Sequence, residues 1–332
     1  MNPSWIRYRL DRGERLIYNV YNLHLVAWRS GILPEISGMV MDIVLKLVEK
    51  HRNGETIEYG LIKAVIDSYV SLGLGGSLNE LRYYFEVPFI KATDAYYRAE
   101  SARFLSENSV VEYMKKAISR LEEEERRITL CLYPGITPWL IDTCNRTLIL
   151  EHHNLLSEEF ETLLNSNRED DIERMYRLLK RIPDGLEPIR VKFEAHVRCV
   201  GQAAVATVAD IEKPKPEDYV DTFVEIHNKF RGLVKRAFND DTEFNLSLDN
   251  ACREFMNWND IYKSGSSKLP ELLSKYIDDL IQKSCTGVDD GELDGVLTRL
   301  MAILGQTKPR LWSKNSTEVD GTGRGGYESD IT

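Results

Sequence analysis

Apolar residues recur at helical spacing along most of this 332-residue chain, and this pattern limits its fold more than any other feature. In the region 110–128, for example, Val110, Met114, Ala117 and Leu121 fall on one stripe of a helix with 3.6 residues per turn. No stretch shows a convincing alternation of apolar and polar residues, which is the pattern of a half-buried strand. The sequence therefore predicts an all-α protein.

The other side of this helix carries the charged residues of the stretch EYMKKAISRLEEEERR, residues 112–127. Ser109 and Glu112 have the spacing of a capping box that would start the helix. Three acidic residues precede a basic residue by four positions, an order that stabilises a helix by roughly 0.2–0.5 kcal/mol for each pair. These pairs are Glu112–Lys116, Glu122–Arg126 and Glu123–Arg127. We therefore expect a solvent-exposed face, with a partner-binding surface as the alternative.

The predicted helices form two groups of five. The first group covers residues 14–30, 34–52, 56–72, 78–107 and 110–132, and the second covers residues 137–165, 168–181, 186–211, 217–238 and 242–258. Helix groups of this size in succession are typical of an α-solenoid, in which each group packs only against its neighbours. The chain shows no repeat of individual residues, so the prediction of an α-solenoid rests on the number and length of the helices.

Large apolar residues are expected to fill the core of these helix groups. The predicted helix 34–52 has an apolar side with Ile36, Val40, Ile43, Val44 and Leu47. The aromatic run within residues 83–104 lacks interleaved basic residues, so it favours core packing over a stacking platform for nucleic acid. We interpret Trp28, Trp139 and Trp258 as core residues or as anchors between repeats.

The composition argues against several classes of function. A net charge of −10 and a pI near 5.3 disfavour binding to nucleic acid or to anionic membranes, both of which call for a basic face. The cysteines are widely spaced without a C-x-x-C pair, so buried free thiols are favoured over disulfides or a zinc site. They are Cys131, Cys144, Cys199, Cys252 and Cys285. No apolar run approaches the roughly 20 residues of a membrane-spanning helix.

No recognisable catalytic or cofactor motif occurs in the sequence. Residues 321–326 match G-x-G-x-x-G, but the dinucleotide-binding fingerprint requires a strand before it and a helix after it. His152 and His153 are adjacent, so they would lie on different faces of a helix and could not chelate one metal ion together. We expect a protein that is not an enzyme, with no catalytic residues, no cofactor and no metal site.

Several blocks of the sequence resemble the cullin family, the long scaffolds of cullin–RING ubiquitin ligases. They include ESARFLSENSVVEYMKKAISRLEEEERR at 100–127, VLKLVEKHRNGETI at 44–57, DDIERMYRLLKRIPDGL at 170–186, YVDTFVEIHNKFRGLVKRAFNDDTEF at 219–244, LDNACREFMN at 248–257 and SSKLPELLSKYIDDLIQKS at 266–284. The blocks occur in the family's order over about residues 5–304, and they are most similar to the cullins of SCF-type ligases.

The resemblance implies a division of the chain. A cullin has a stalk of three five-helix repeats, followed by a globular C-terminal region. On this basis, 1–13 is a remnant of the first repeat, 14–133 and 134–260 are the next two repeats, and 266–304 holds the first helices of a truncated C-terminal region. The composition of 305–332 is typical of a disordered tail.

The resemblance also implies partners. A cullin of this type holds a Skp-type adaptor with its F-box protein at one end and a RING-finger protein at the other. We expect the adaptor contact to be weakened or lost here, with Trp5, Ile6 and Arg7 as its remnant, and the site for the RING-finger protein to be missing. The apolar stripes of 266–304 would lose their usual cover and form a possible exposed interface. It consists of Leu273, Tyr276, Ile277, Leu280, Leu297 and Leu300.

The sequence therefore predicts a non-catalytic scaffold subunit of an SCF-type cullin–RING ubiquitin ligase, present as a fragment in the cytoplasm and the nucleus. We expect neither nucleic acid nor a membrane among its partners. The alternative is a generic helical-repeat protein that binds or tethers. Accumulation of short-lived F-box substrates on overexpression would favour the cullin, and secretion defects would favour the tether.

Overall fold

The computed structural model describes residues 20–73, 76–209 and 216–256, and this part of the chain is built from helices without a β-strand. The all-α prediction is thus confirmed. The chain divides into two units, Met1–Lys192 and Phe193–Thr332, and each is described by itself.

The first unit contains nine α-helices in its described part. They are α1 (Val20–Ala27), α2 (Leu33–Arg52), α3 (Tyr59–Leu72), α4 (Asn79–Leu81), α5 (Val87–Glu107), α6 (Val110–Cys131), α7 (Thr137–Leu148), α8 (His153–Asn165) and α9 (Glu169–Leu179). Short 3₁₀ turns at Pro134–Ile136 and Leu150–His152 precede α7 and α8. In the rest of the described chain, α10 (Glu187–Ala209) runs across the division, and α11 (Pro216–Ala237) and α12 (Thr242–Met256) belong to the second unit.

Two wide π-helical turns, Trp28–Ile32 and Arg82–Glu86, occur just before a proline. Pro34 and Pro88 have no N–H with which to continue the α-helical ladder, and their rings crowd the preceding turn. The helix widens instead, because the backbone N–H before each proline donates to the carbonyl five residues back. The chain therefore passes both prolines without leaving the helical conformation.

The ends of several helices follow from local sequence. At the end of α2, Gly54 adopts φ +91°, the N–H of Gly54 donates to His51 O and the N–H of Glu55 donates to Lys50 O, both at 3.0 Å. This is the Schellman arrangement expected of a glycine after a helix. At the start of α6, Ser109 Oγ accepts a hydrogen bond from the N–H of Glu112 at 3.3 Å, which confirms the predicted cap.

The predicted single helix over 137–165 is wrong, because the structure breaks it into α7 and α8. Ile149 leaves the helical conformation at φ −120° and ψ −60°, and a 3₁₀ turn follows it. Leu148 and Ile149 are both buried at this break. Since apolar residues continue through the break, their spacing alone does not reveal it.

The core of the first unit contains three of the seven aromatic residues of the predicted run. Phe85 and Phe89 are buried and stacked with ring centres 5.5 Å apart, and Tyr97 is also buried. Tyr83, in contrast, is exposed. The core side of α2 differs from the predicted one and consists of Leu33, Met41, Val44 and Val48.

Two of the predicted tryptophan anchors do not lie in the core. Trp28 is 46% exposed and Trp139 is 42% exposed, so their assignment as core residues is wrong. The guanidinium carbon of Arg82 lies 4.3 Å from the centre of the Trp139 ring, which holds that ring at the surface by a cation–π contact. Trp258 lies outside the described residues.

The second unit has an aromatic core of its own. The Phe193 ring lies 5.5 Å from Phe238 and 5.7 Å from Phe244. Phe223 and Phe255 stack at 5.4 Å, which joins α11 to α12. These contacts are the closely packed aromatic pairs that dominate the energetics of a core.

Candidate functional site

A group of buried polar side chains lies between three helices of the first unit. Arg52 ends α2, Thr93 and Tyr97 lie on α5, and Glu124 and Arg127 lie on α6. All five are buried, and the side chains of Glu124 and Arg127 are completely inaccessible. We call these five side chains the buried ion cluster.

The carboxylate of Glu124 is the centre of the buried ion cluster. Its Oε1 accepts hydrogen bonds from Arg52 Nε at 2.8 Å and from Tyr97 Oη at 2.5 Å, and it also pairs with the guanidinium of Arg127. Arg52 Nη2 donates to Thr93 Oγ1 at 2.9 Å. The guanidinium carbon of Arg52 also lies 4.9 Å from the centre of the Tyr97 ring. One carboxylate oxygen therefore joins side chains from α2, α5 and α6.

The charges of the buried ion cluster fix its protonation. Burial alone would raise the pKa of Glu124, but the positive charges of Arg52 and Arg127 outweigh burial and hold this pKa below its ordinary value. Burial and the negative charge of Glu124 raise the pKa of Tyr97 well above its ordinary value. Glu124 therefore stays ionised at neutral pH, and Tyr97 keeps the proton that it donates.

A second buried ion pair lies one turn earlier on α6. Arg120 donates from Nε and Nη2 to the two carboxylate oxygens of Glu100 on α5, at 3.0 and 2.5 Å. This two-point contact fixes geometry more strictly than a single hydrogen bond does. Arg120 Nη1 donates to the main-chain carbonyl of Arg52 at 2.7 Å. Because the last carbonyls of a helix lack partners within it, Arg120 also caps the end of α2.

A histidine extends the network to the start of α3. Arg127 Nη2 lies 2.7 Å from His51 Nδ1, and Tyr59 Oη lies 2.8 Å from His51 Nε2. Since arginine can only donate, Nδ1 must accept, and the neutral ring then carries its proton on Nε2 and donates it to Tyr59. Burial and the nearby charge of Arg127 lower the pKa of His51.

The prediction that the charged residues of α6 form a solvent-exposed face is wrong for part of that helix. Arg127 pairs with Glu124 on its own helix instead of Glu123, and Lys116 pairs with Glu100 on α5 instead of Glu112. A signal in the sequence could have revealed this. Steps of four and three residues connect the buried positions Tyr113, Ala117, Arg120, Glu124, Arg127 and Cys131, so half of a regular buried stripe is charged.

The described residues offer little for nucleophilic chemistry. Burial raises the pKa of the Cys131 thiol to about 11 and that of Cys252 to about 12, and it also raises the pKa of Cys144. Because the thiolate is the reactive form, these thiols are poor nucleophiles at neutral pH. In the part of the chain that the structure describes, no three or more His, Cys, Asp and Glu side chains come together as a metal site would require. No helix in that part is long and apolar enough to cross a bilayer.

The two adjacent histidines have separate structural contacts. His153 Nε2 lies 3.1 Å from the carbonyl oxygen of Gly185, whereas the His152 ring packs edge-on against Tyr113 at 5.2 Å. Each ring therefore serves the packing of a different neighbour.

The predicted interface residues all lie outside the described residues. This holds for the adaptor remnant Trp5, Ile6 and Arg7, and for the apolar stripe Leu273, Tyr276, Ile277, Leu280, Leu297 and Leu300. These sites stay predictions, as do the proposed ranges of the repeats. The buried ion cluster, in contrast, was found only from the structure, because Arg52 and Glu124, which hydrogen-bond directly, are 72 positions apart in sequence.

Comparison with known proteins identifies the fold family. A family model described as the cullin alpha solenoid domain matches residues 4–308. The chain is 40% identical over 311 residues to Cullin-1 of Dictyostelium discoideum, and 33% identical over 316 residues to Cullin-1 of Schizosaccharomyces pombe. Each alignment covers 91% of this chain but only 40% or 41% of the relative, so the chain spans about two fifths of the length of these relatives. Because the cullin alpha solenoid domain matches most of the length of this chain, the chain belongs to the cullin family.

Proposed function

We propose that this chain is a non-catalytic scaffold segment of an SCF-type cullin–RING ubiquitin ligase. The observation that carries the proposal is the match of the cullin alpha solenoid domain to residues 4–308. The buried ion cluster supports the proposal, because the desolvated carboxylate of Glu124 connects three helices of the first unit through hydrogen bonds and ion pairs. Such a cluster suits a part whose task is to keep its shape.

The proposed mechanism is mechanical. Closely packed helices resist deformation, whereas a flexible linker samples many separations. A stiff support raises the chance that two bound groups meet in a productive geometry. The scaffold would thus bring an enzyme charged with ubiquitin within reach of a bound substrate, without a reaction centre of its own.

The proposed partners are a Skp-type adaptor with its F-box protein and a RING-finger protein, and the proposed location is the cytoplasm and the nucleus. Because the chain spans about two fifths of the length of its relatives, we propose that most contacts with these partners lie outside it. A fluorescent fusion would test the location, which would be contradicted by confinement to a membrane-bound organelle.

A binding experiment tests the partner assignment. The 332-residue chain and a full-length Cullin-1 control are each mixed with purified Skp-type adaptor and RING-finger protein, and the complexes are weighed by light scattering. We expect the control to form stoichiometric complexes and this chain to bind both proteins at least tenfold more weakly. Stoichiometric capture of both proteins by this chain alone would show that it holds complete binding sites.

A cellular experiment tests the scaffold function itself. Overexpression of the chain is expected to lengthen the half-lives of short-lived F-box substrates, because a scaffold segment that shares partners with the native cullin would compete with it for them. The half-life of a stable protein that no F-box protein recognises serves as the control. Unchanged half-lives at an expression level above that of the native cullin would contradict the proposal.

A further inference from the structure

The outward side of α2, together with the last residue of the π-helical turn before it, carries an apolar stripe. Ile32, Met39 and Ile43 are 42%, 68% and 55% exposed, and Ile36 lies among them with partial exposure. We call these four residues the outer stripe. Given 3.6 residues per turn, it points about 130° away from the side of α2 that packs into the core. Residues 36, 39 and 43 are spaced by three and four positions, which is the spacing of a seam between two packed helices.

Acidic residues line one edge of the outer stripe. Glu35, Asp42 and Glu49 recur every seven residues, so they lie in one row along α2. All three are exposed, and none has an ion-pair partner within the described ranges. We call these three residues the acidic edge. The opposite edge carries Val40 and Leu47, which are partly buried.

We propose that the outer stripe binds an amphipathic helix of another protein, whose apolar seam packs on the stripe and whose lysines or arginines pair with the acidic edge. This is the helix-in-groove mode of recognition, read through anchors spaced by three and four residues. The charge pairs would contribute specificity and faster association more than affinity. The next two positions of the seam are Lys46 and Lys50, so the apolar contact ends near Ile43 after about three turns.

The charges argue against a second copy of this chain as the occupant. In an antiparallel pair of α2 helices, the two acidic edges would face each other, and like charges repel. In a parallel pair, each acidic edge would face Val40 and Leu47 of the other copy and would lose hydration without gaining a cation. A helix with an apolar seam and a basic flank along the acidic edge satisfies both features of the surface.

A peptide titration tests the proposal on the full 332-residue chain. The probe is a fluorescent three-heptad peptide with leucine in its seam and lysine on both flanks, and the control peptide has glutamate at the flanks. Anisotropy is expected to show at least tenfold tighter binding of the lysine peptide.

Substitutions in the outer stripe test the apolar contact. Because these positions are exposed, the substitutions should leave the fold intact, and thermal unfolding would verify this. Met39→Ala with Ile43→Ala should weaken binding at least tenfold, whereas Leu61→Ala, which removes an exposed leucine on α3, should leave it unchanged.

Charge reversal tests the acidic edge separately. The combined variant Glu35→Lys, Asp42→Lys and Glu49→Lys should prefer the glutamate peptide. Equal binding of both peptides to the unmodified chain, or equal losses in the stripe variant and in Leu61→Ala, would overturn the proposal. So would a dimer in sedimentation that Ile43→Glu dissociates, since a second copy would then cover the stripe. The combined variant Arg7→Glu and Arg9→Glu should bind the peptide as the unmodified chain does. Tighter binding would also overturn the proposal, because the chain's own N-terminal residues would then be the occupant of the stripe.

Discussion

At the scale of single residues, Glu124 is the centre of the buried ion cluster. Its carboxylate contacts Arg52, Tyr97 and Arg127 and is closed off from water. A buried ion pair gains little stability over a well-packed apolar group, because both charges lose hydration. Removing one partner alone is different, since the remaining charges stay buried without compensation.

Glu124→Gln is therefore expected to lower the free energy of unfolding by about 3–5 kcal/mol, the usual effect of breaking a buried ion pair. Urea denaturation followed by circular dichroism measures the change. The matched control is Glu122→Gln on the same helix, where both the glutamate and its partner Arg177 are exposed. A surface pair of this kind contributes about 0–1 kcal/mol. Similar losses in the two variants would contradict the role given to Glu124.

His51 is expected to make stability depend on pH. Its pKa is lowered in the folded state, so the unfolded chain takes up a proton more readily. Stability should therefore fall as pH decreases through about 6.5, the ordinary histidine pKa, and should be unaffected well above it. Glutamine can accept from Arg127 and donate to Tyr59 but does not titrate. The stability of the unmodified chain relative to His51→Gln should thus decline between about pH 7.5 and 5.5, and parallel pH profiles would contradict this account.

The charged residues of α6 show why the sequence was misleading at this scale. Lysine, arginine and glutamate at helical spacing usually mark a face in contact with water. Arg127 is buried because Glu124, His51 and the end of α2 surround it, and His51 is 76 positions away. Spacing along one helix predicts which side a residue occupies, but it does not reveal what lies opposite that side.

At the scale of elements, most helices were predictable because each begins and ends on local signals. The predicted 186–211 corresponds to Glu187–Ala209, and the predicted 217–238 corresponds to Pro216–Ala237. Prolines and glycines mark many of these ends. The break at Ile149 was missed because apolar residues continue through it. The two π-helical turns were also missed, although Pro34 and Pro88 follow them in the sequence.

A close approach between α10 and α12 gives a prediction at this scale. A Cβ on Gly201 would lie 2.3 Å from Cδ1 of Phe255, which is buried and stacked on Phe223. Overpacking of a core typically costs about 1–3 kcal/mol, more than the roughly 1 kcal/mol that alanine gains over glycine inside a helix. We therefore expect Gly201→Ala to lower the melting temperature.

The control for this substitution is Gly38→Ala, in the middle of α2. A Cβ at Gly38 meets no atom within 4 Å, and the residue is exposed. Helix propensity then acts alone, so Gly38→Ala should stabilise the protein by roughly 0.5–1 kcal/mol. Shifts of the same sign in the two variants, measured by calorimetry, would contradict the packing argument.

At the scale of the whole molecule, the family and the all-α fold followed from the sequence, because many moderately specific blocks occur in one order. The burial of individual side chains, and its effect on stability, did not follow from the sequence, because both depend on contacts between helices that are distant in sequence. The buried cysteines are an example. The sequence predicted buried free thiols, and the structure confirms burial for Cys131, Cys144 and Cys252, whereas the prediction is wrong for Cys199, which is exposed.

Alkylation of cysteines is expected to report on global stability. In the native chain, iodoacetamide should label Cys199 at least tenfold faster than the three buried thiols, whose raised pKa values and burial both slow the reaction. In denaturant all four should react alike. Mass spectrometry of proteolytic peptides measures each site separately, and rapid native labelling of Cys144 would show that the first unit opens far more readily than its packing suggests.

The arrangement around Glu124 also restricts how this protein can change over generations. A single substitution of Glu124, or of either of its two guanidinium partners, would give a destabilised protein. Exchanging all three at once for apolar residues of similar volume is often neutral or beneficial to folding. Single substitutions at these three charged residues are therefore expected to be unfavourable in evolution. An engineered apolar core at this position would require Arg52, Glu124 and Arg127 to be replaced together.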